Sequence, residues 1–149
     1  MTKETIKHFS QMHAEPEWLA NLRQAAFDKI EELKLPVIER VKFHRWNLGD
    51  GTLSESETLT NVPDFTALND HLTLVQVGTQ TVLEQLPADL AEQGVIFTDF
   101  YSALEEIPEI IEKHFMSSVK YDEDKLAAYH TAYFNGGAVL YIPDNVEIN

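Results

Sequence analysis

The alternation of apolar and polar positions opens with a helical period. Ile6, Phe9 and Met12 predict a helix over 3–13 whose stripe is too narrow to stand without a partner surface. Leu19, Leu22, Ala26, Ile30 and Leu33 then form one continuous face of a second helix, with Trp18 and Phe27 beside it. Glu15-Pro16 starts this helix, because a missing N–H costs nothing in the first turn, and Pro36 is expected to end it. Residues 37–48 are mixed, and Val41, Phe43 and Trp46 predict a short extended piece or an anchoring loop. Gly49-Asp50-Gly51 is a turn signal, and 52–70, rich in Thr, Ser, Asn and Asp, reads as loop.

The period then shifts toward two. Residues 72–77 and Thr81-Val82-Leu83 flank Gly78, which predicts a hairpin turning around 78–80. Val95-Ile96-Phe97 is a third short strand. Asp99 is placed to cap a helix carrying Phe100, Leu104 and Ile107. Pro108 interrupts, so Ile111 and Phe115 belong to a second short helix. Asp122-Glu123-Asp124 opens the last helix with acids at its positive end. Leu126, Tyr129 and Tyr133 are expected to face a core, and Asn135-Gly136-Gly137 to stop the helix in the left-handed manner. Residues 138–142 form a strand that Pro143 ends. Val146-Glu147-Ile148 starts a further alternating run, as expected of the amino-terminal portion of a larger protein. The fold class is α+β: amino-terminal helices, a small antiparallel β element, further helices, then a strand. The expected division is a helical arm at 1–48, a loop-rich connector at 49–71, a small α+β domain at 72–137, and the start of a further core at 138–149.

Composition narrows the function. A chain of 149 residues, 44% hydrophobic, can bury a real core. Its 25 acids against 11 bases give a net charge of −14, which repels phosphate backbones and anionic membranes, so neither nucleic acid nor membrane is expected as a partner. There is no cysteine, hence no disulfide, no thiolate nucleophile and no thiolate ligand for an iron–sulfur cluster within this chain. No apolar run approaches the roughly 20 residues of a membrane span, and no signal-peptide pattern follows Met1, so the cytoplasm is the expected compartment.

The glycines spell neither phosphate-loop pattern, there is no G-x-S-x-G elbow, and the acids at 122–124 lack the rest of a calcium loop. His8, His13, His44, His71, His114 and His130 include no H-x-x-x-H pair, so no metal site is expected. His114 and His130 do fall on successive helices. A small metal- or acid–base-dependent hydrolase using them is one alternative reading, and an unrelated acidic adaptor domain binding a basic protein is another. Glu105, Glu106, Glu109 and Glu112 describe a solvated helix face, and Trp18, Phe27, Trp46, Tyr129 and Tyr133 read as core.

One resemblance is specific. Residues 94–99, Ala103-Leu104-Glu105-Glu106, Pro108-Glu109, His114-Phe115 and residues 121–128 resemble the SufB/SufD family of iron–sulfur cluster assembly proteins, and 131–143 carries the most specific part. Glu17-Trp18-Leu19 with Arg23, Ala26, Phe27, Leu33 and Pro36 is similar to the family's amino-terminal helix, and 72–86 to its small hairpin. Residues 43–48 look more SufD-like than SufB-like, although of the family's usual Glu, Trp, Arg, Tyr and Thr only Arg45 and Trp46 stand here. The resemblance implies a helical region leading into a right-handed parallel β-helix whose first strand is 138–142. It implies a scaffold in a SufBCD complex, with SufB-like and SufC-like (ATPase) partners and the cluster assembled by the complex. It places no catalytic, cofactor-binding or metal-binding residue in this chain. A lone first rung exposes a strand edge, so 138–149 is expected to be disordered or paired with another copy, a self-association of the chain.

Overall fold

From amino to carboxyl end the elements are α1 (Lys3–Met12), α2 (Glu17–Lys29), a single 3-10 turn (Phe43–Arg45), β1 (Thr73–Val77), β2 (Gln80–Gln85), α3 (Ala88–Glu92), β3 (Ile96–Asp99), α4 (Phe100–Glu106), α5 (Pro108–His114), α6 (Lys125–Tyr133) and β4 (Ala138–Tyr141). They come from a computed structural model that describes residues 2–46, 59, 62–65 and 71–148. The α+β class holds. The expected connector at 49–71 falls almost wholly outside the described residues, as do positions 47 and 48 of the expected anchoring loop. The chain divides into two compact units that alternate along it, one from Met1–Leu53 and Glu109–Phe134, the other from Ser54–Pro108 and Asn135–Asn149. The boundaries expected at 48, 71 and 137 run consecutively instead.

In the first unit α1 starts behind Thr2, whose hydroxyl accepts a hydrogen bond from the Thr5 N–H at 3.3 Å. Ile6 and Phe9 are buried, while Met12, the third member of the expected stripe, is exposed. Ile6 meets Ala26 and Ile30 of the second-helix segment and Ala128 and Ala132 of α6 in one cluster. Three of those five are fully buried alanines, so α2 and α6 approach closely. Removing side chains such as Ile6 and Leu19 from water is worth about 1.5–3 kcal/mol each. Tyr129 and Tyr133 pack at the margin of this cluster, and the fully inward face of α6 is Ala128, Thr131 and Ala132.

α2 stops at Lys29, short of Pro36. The Glu32 and Leu33 N–H groups both donate to the Lys29 carbonyl, at 3.1 and 3.0 Å, so the regular ladder does not advance. α6 begins where the acids predict. Asp124 caps it by accepting from the Leu126 and Ala127 N–H groups at 2.8 and 2.9 Å. Its other end departs from expectation. Phe134 leaves with an extended backbone, and neither Gly136 nor Gly137 takes a positive φ.

In the second unit β1 and β2 form the expected hairpin across Gly78, which holds φ +60°. Val75 faces Leu83 and Gln76 faces Thr81, so Val82 is the extra residue of a bulge. α3 was not visible in the pattern, because five residues are too few to show a period. Gly94 follows it at φ +82°, and a Cβ there would lie 3.3 Å from Pro143 Cγ. Asp99 caps α4 as expected, accepting from the Tyr101 and Ser102 N–H groups at 3.0 and 3.2 Å. The helix breaks before Pro108, also as expected.

β3 and β4 pair antiparallel, Ile96 with Tyr141 through Asp99 with Ala138. The disorder expected of 138–149 is therefore not met over 138–148. β4 finds β3 inside its own chain, and that pairing satisfies backbone groups a lone rung would leave open.

Candidate functional site

A fully buried charged constellation lies in the first unit. Glu15 precedes α2 and Arg23 lies two turns along it, and both side chains are 0% exposed. Arg23 Nε donates to both Glu15 oxygens, at 3.0 and 2.8 Å, and Nη2 donates to Oε1 at 2.6 Å. Its other nitrogen, Nη1, donates to the carbonyls of Ala132 at 3.2 Å and Phe134 at 2.7 Å. These lie at the end of α6, where helix carbonyls lack partners and the dipole is negative, so the guanidinium caps that end. This is the physical reason α6 can stop without a left-handed glycine. The planar cation also stacks 3.7 Å from the Phe134 ring centroid and 5.0 Å from that of Phe9.

This clamp joins the α1–α2 pair to the end of α6 with neither side chain open to solvent. It organises the unit and presents no carboxylate to a substrate. Sequence reasoning missed it, although a signal existed: Arg23 stands four residues after Leu19 and three before Ala26, a charge inside the apolar stripe. His13 lies nearby, its ring 4.3 Å from that of Phe9. Burial, the largest cause, holds the imidazole below its usual value, with Arg23 acting the same way and Glu15 opposing.

The candidate hydrolase residues are placed differently. His114 ends α5 and His130 lies on α6, and both are exposed. Among the described residues no three His, Cys, Asp or Glu side chains group closely enough to hold a metal ion. Glu105 and Glu106 lie on α4, Glu109 and Glu112 on α5, and all four are exposed. Of the aromatic set, Trp18 stands edge-on to Phe115 at 6.3 Å and Phe27 edge-on to Tyr133 at 6.3 Å. Trp46 is a correction: it is 55% exposed, its ring edge-on to that of the buried Phe43 at 4.9 Å.

The second unit carries a polar tie of its own. The Thr98 hydroxyl, 2% exposed, donates to Glu84 Oε2 at 2.9 Å, and Gln76 Nε2 donates to the Gly137 carbonyl at 3.1 Å. These link β2 to β3 and the hairpin to the residue before β4. An open pocket of about 500 Å³ is lined by His71, Pro87, Asp89, Gln93, Glu147 and Ile148. Among the described residues no helix is long and apolar enough to cross a membrane.

Residues 60–149 match the family model described as SufBD protein N-terminal region. The iron–sulfur cluster assembly protein SufD of Bacillus subtilis is 39% identical over 158 residues, covering 98% of this chain and 36% of that protein. An iron–sulfur cluster assembly SufBD family protein of Pyrococcus horikoshii is 28% identical over 161 residues, covering 96% and 36%. One of Staphylococcus aureus is 24% identical over 169 residues, covering 100% and 36%. The chain thus spans 36% of the length of these curated relatives. It belongs to the SufB/SufD family, as a SufD-like amino-terminal region.

Proposed function

We propose that the chain is the amino-terminal scaffold or interaction region of a SufD-like protein in iron–sulfur cluster assembly, non-catalytic by itself. The observation that carries this reading is the 39% identity, over nearly the whole chain, to a protein named for that assembly. The cluster is cargo of the larger complex, and this chain, having no cysteine, offers it no thiolate. SufB-like and SufC-like (ATPase) proteins are the partners, engaged through the full-length protein in the cytoplasm.

In the full-length protein β4 opens a right-handed parallel β-helix. Support comes from its sheet, which has two strands among the described residues, and from Leu140 and Ile142, exposed beside an edge that a following strand would cover. The buried clamp suits a scaffold, since it fixes helices rather than presenting a reactive group.

Co-expression of the tagged full-length protein with SufB-like and SufC-like proteins tests the reading. A fixed-ratio complex that develops an iron–sulfur chromophore on reconstitution is expected. A full-length protein that elutes alone, while the other two associate with each other, would overturn it.

A further inference from the structure

Residues 34–46 are held at two points. The Lys34 carbonyl accepts from the Lys125 N–H at 3.0 Å, and Phe43 is buried. Between these anchors the chain has no helix or strand, only a tight turn in which the Val41 N–H donates to the Ile38 carbonyl at 3.1 Å. Arg40 sits in that turn at φ +68°. The segment turns its apolar side chains outward: Val37 is 100% exposed, Ile38 51% and Val41 37%, and Trp46 stands clear just beyond Phe43. A lone exposed valine is ordinary, but four such residues in ten positions form a patch.

The charge around that patch reverses the sign of the molecule. Lys34, Arg40, Lys42 and Arg45 are all exposed. Glu39 is the one acid of the segment, so four bases less one acid leave +3 in a chain whose total is −14. Four of the chain's 11 bases lie in these 13 positions. Trp and Arg on an apolar ground are the residue types that dominate protein–protein binding energy.

We propose that residues 34–46 are a docking strip for an acidic segment of a partner protein that carries apolar side chains between its acids. The cations would select the sign and steer the encounter, while Val37, Ile38, Val41 and Trp46 would supply the buried anchors. Nucleic acid and anionic lipid share the negative sign, but an extended polyanion or a charged surface faces more of the remaining chain, whose charge without this strip is −17, than a short acidic segment does. A phosphate backbone would also leave the apolar anchors unburied. This docking role does not depend on what the larger protein assembles.

The test uses Trp46 as its own reporter. The chain has two tryptophans, and Trp18→Phe keeps a ring against Phe115; in the full-length protein the Trp46 signal is the difference in emission between Trp18→Phe and Trp18→Phe/Trp46→Phe. Each full-length variant is titrated with a synthetic peptide alternating glutamate with leucine and phenylalanine. Matched probes are the same peptide with lysine for glutamate, one with serine for the apolar residues, a uridine homopolymer and phosphatidylglycerol vesicles. Expected are a blue shift with the first peptide alone and affinity falling severalfold between low and high salt. A further loss of tenfold or more is expected in Lys42→Glu/Arg45→Glu, whose exposed positions do not threaten the fold. Four outcomes would each overturn the assignment: no shift with that peptide; equal binding of the lysine or serine peptide; stronger binding of polymer or vesicles; or an unchanged charge-reversed variant. So would a Trp46 already shielded from acrylamide in the full-length protein before any peptide is added, because the rest of the polypeptide would then cover the strip.

Discussion

Replacing Arg23 with methionine removes the cation but keeps an apolar stem of similar length in α2. Glu15 then stays fully buried with the partner of three short hydrogen bonds gone, and the carbonyls of Ala132 and Phe134 lose their donor. Breaking a buried pair from one side costs about 3–5 kcal/mol, because an uncompensated charge remains. In a chain of this size each kcal/mol lowers the melting temperature by roughly 2–4 °C, so a drop of about 6–20 °C is expected. Removing both partners, as Glu15→Leu/Arg23→Met, leaves no orphan charge. The Ala132 and Phe134 carbonyls still lose their donor, and a net loss of about 1–3 kcal/mol follows. The double variant is therefore expected to be more stable than Arg23→Met alone. Urea unfolding followed by circular dichroism measures both, with midpoints compared at constant slope. A loss under about 1 kcal/mol for Arg23→Met, or a double variant equal to the sum of the two single changes, would refute the clamp as described.

Gly94→Ala is expected to cost about 1–3 kcal/mol, more than Gly78→Ala, because φ +82° is compounded by Pro143 at 3.3 Å whereas Gly78 faces open space; thermal melts of the two variants rank them. Asp124→Ala is expected to lose about 0.5–2 kcal/mol by freeing the Leu126 and Ala127 N–H groups, read as a lower urea midpoint with reduced helicity. Since burial lowers the His13 pKa in the folded chain, the unfolded chain takes up that proton first as pH falls below about 6.5, so His13 contributes stability above that pH and loses it on acidification through the lowered folded value. NMR titration should find the His13 midpoint below that of an unfolded reference, and His13→Gln should flatten this part of the stability–pH curve.

Much of the fold was legible because its local rules are strong. Asp99 and Asp124 are capping residues by chemistry, and both cap. Gly78 marks a turn between alternating runs, and Pro108 breaks a helix. What failed depended on distant groups. The end of α6 looked like a left-handed glycine stop because its real cap, Arg23, is more than a hundred residues away. Trp46 looked like core because apolar character does not say whether a surface exists to receive it. The partner of β4 was sought in another copy because pairing with β3 crosses some forty positions that no local pattern links. The buried clamp is harder still to read, since an arginine on a helix looks solvated until its place inside the apolar stripe between Leu19 and Ala26 is weighed.

The interleaving of the two units bears on how the chain is made. Arg23 leaves the ribosome 111 residues ahead of the Phe134 carbonyl it must meet. At about 5–20 residues per second that is a wait on the order of 5–20 s, with the guanidinium and Glu15 still hydrated. Neither unit can close until the last third of the chain is synthesised, because each draws a segment from beyond residue 108. Nascent α1 and α2 therefore carry an unsealed apolar stripe through most of translation, and a pause in synthesis before residue 134 would hold the chain at its most aggregation-prone stage.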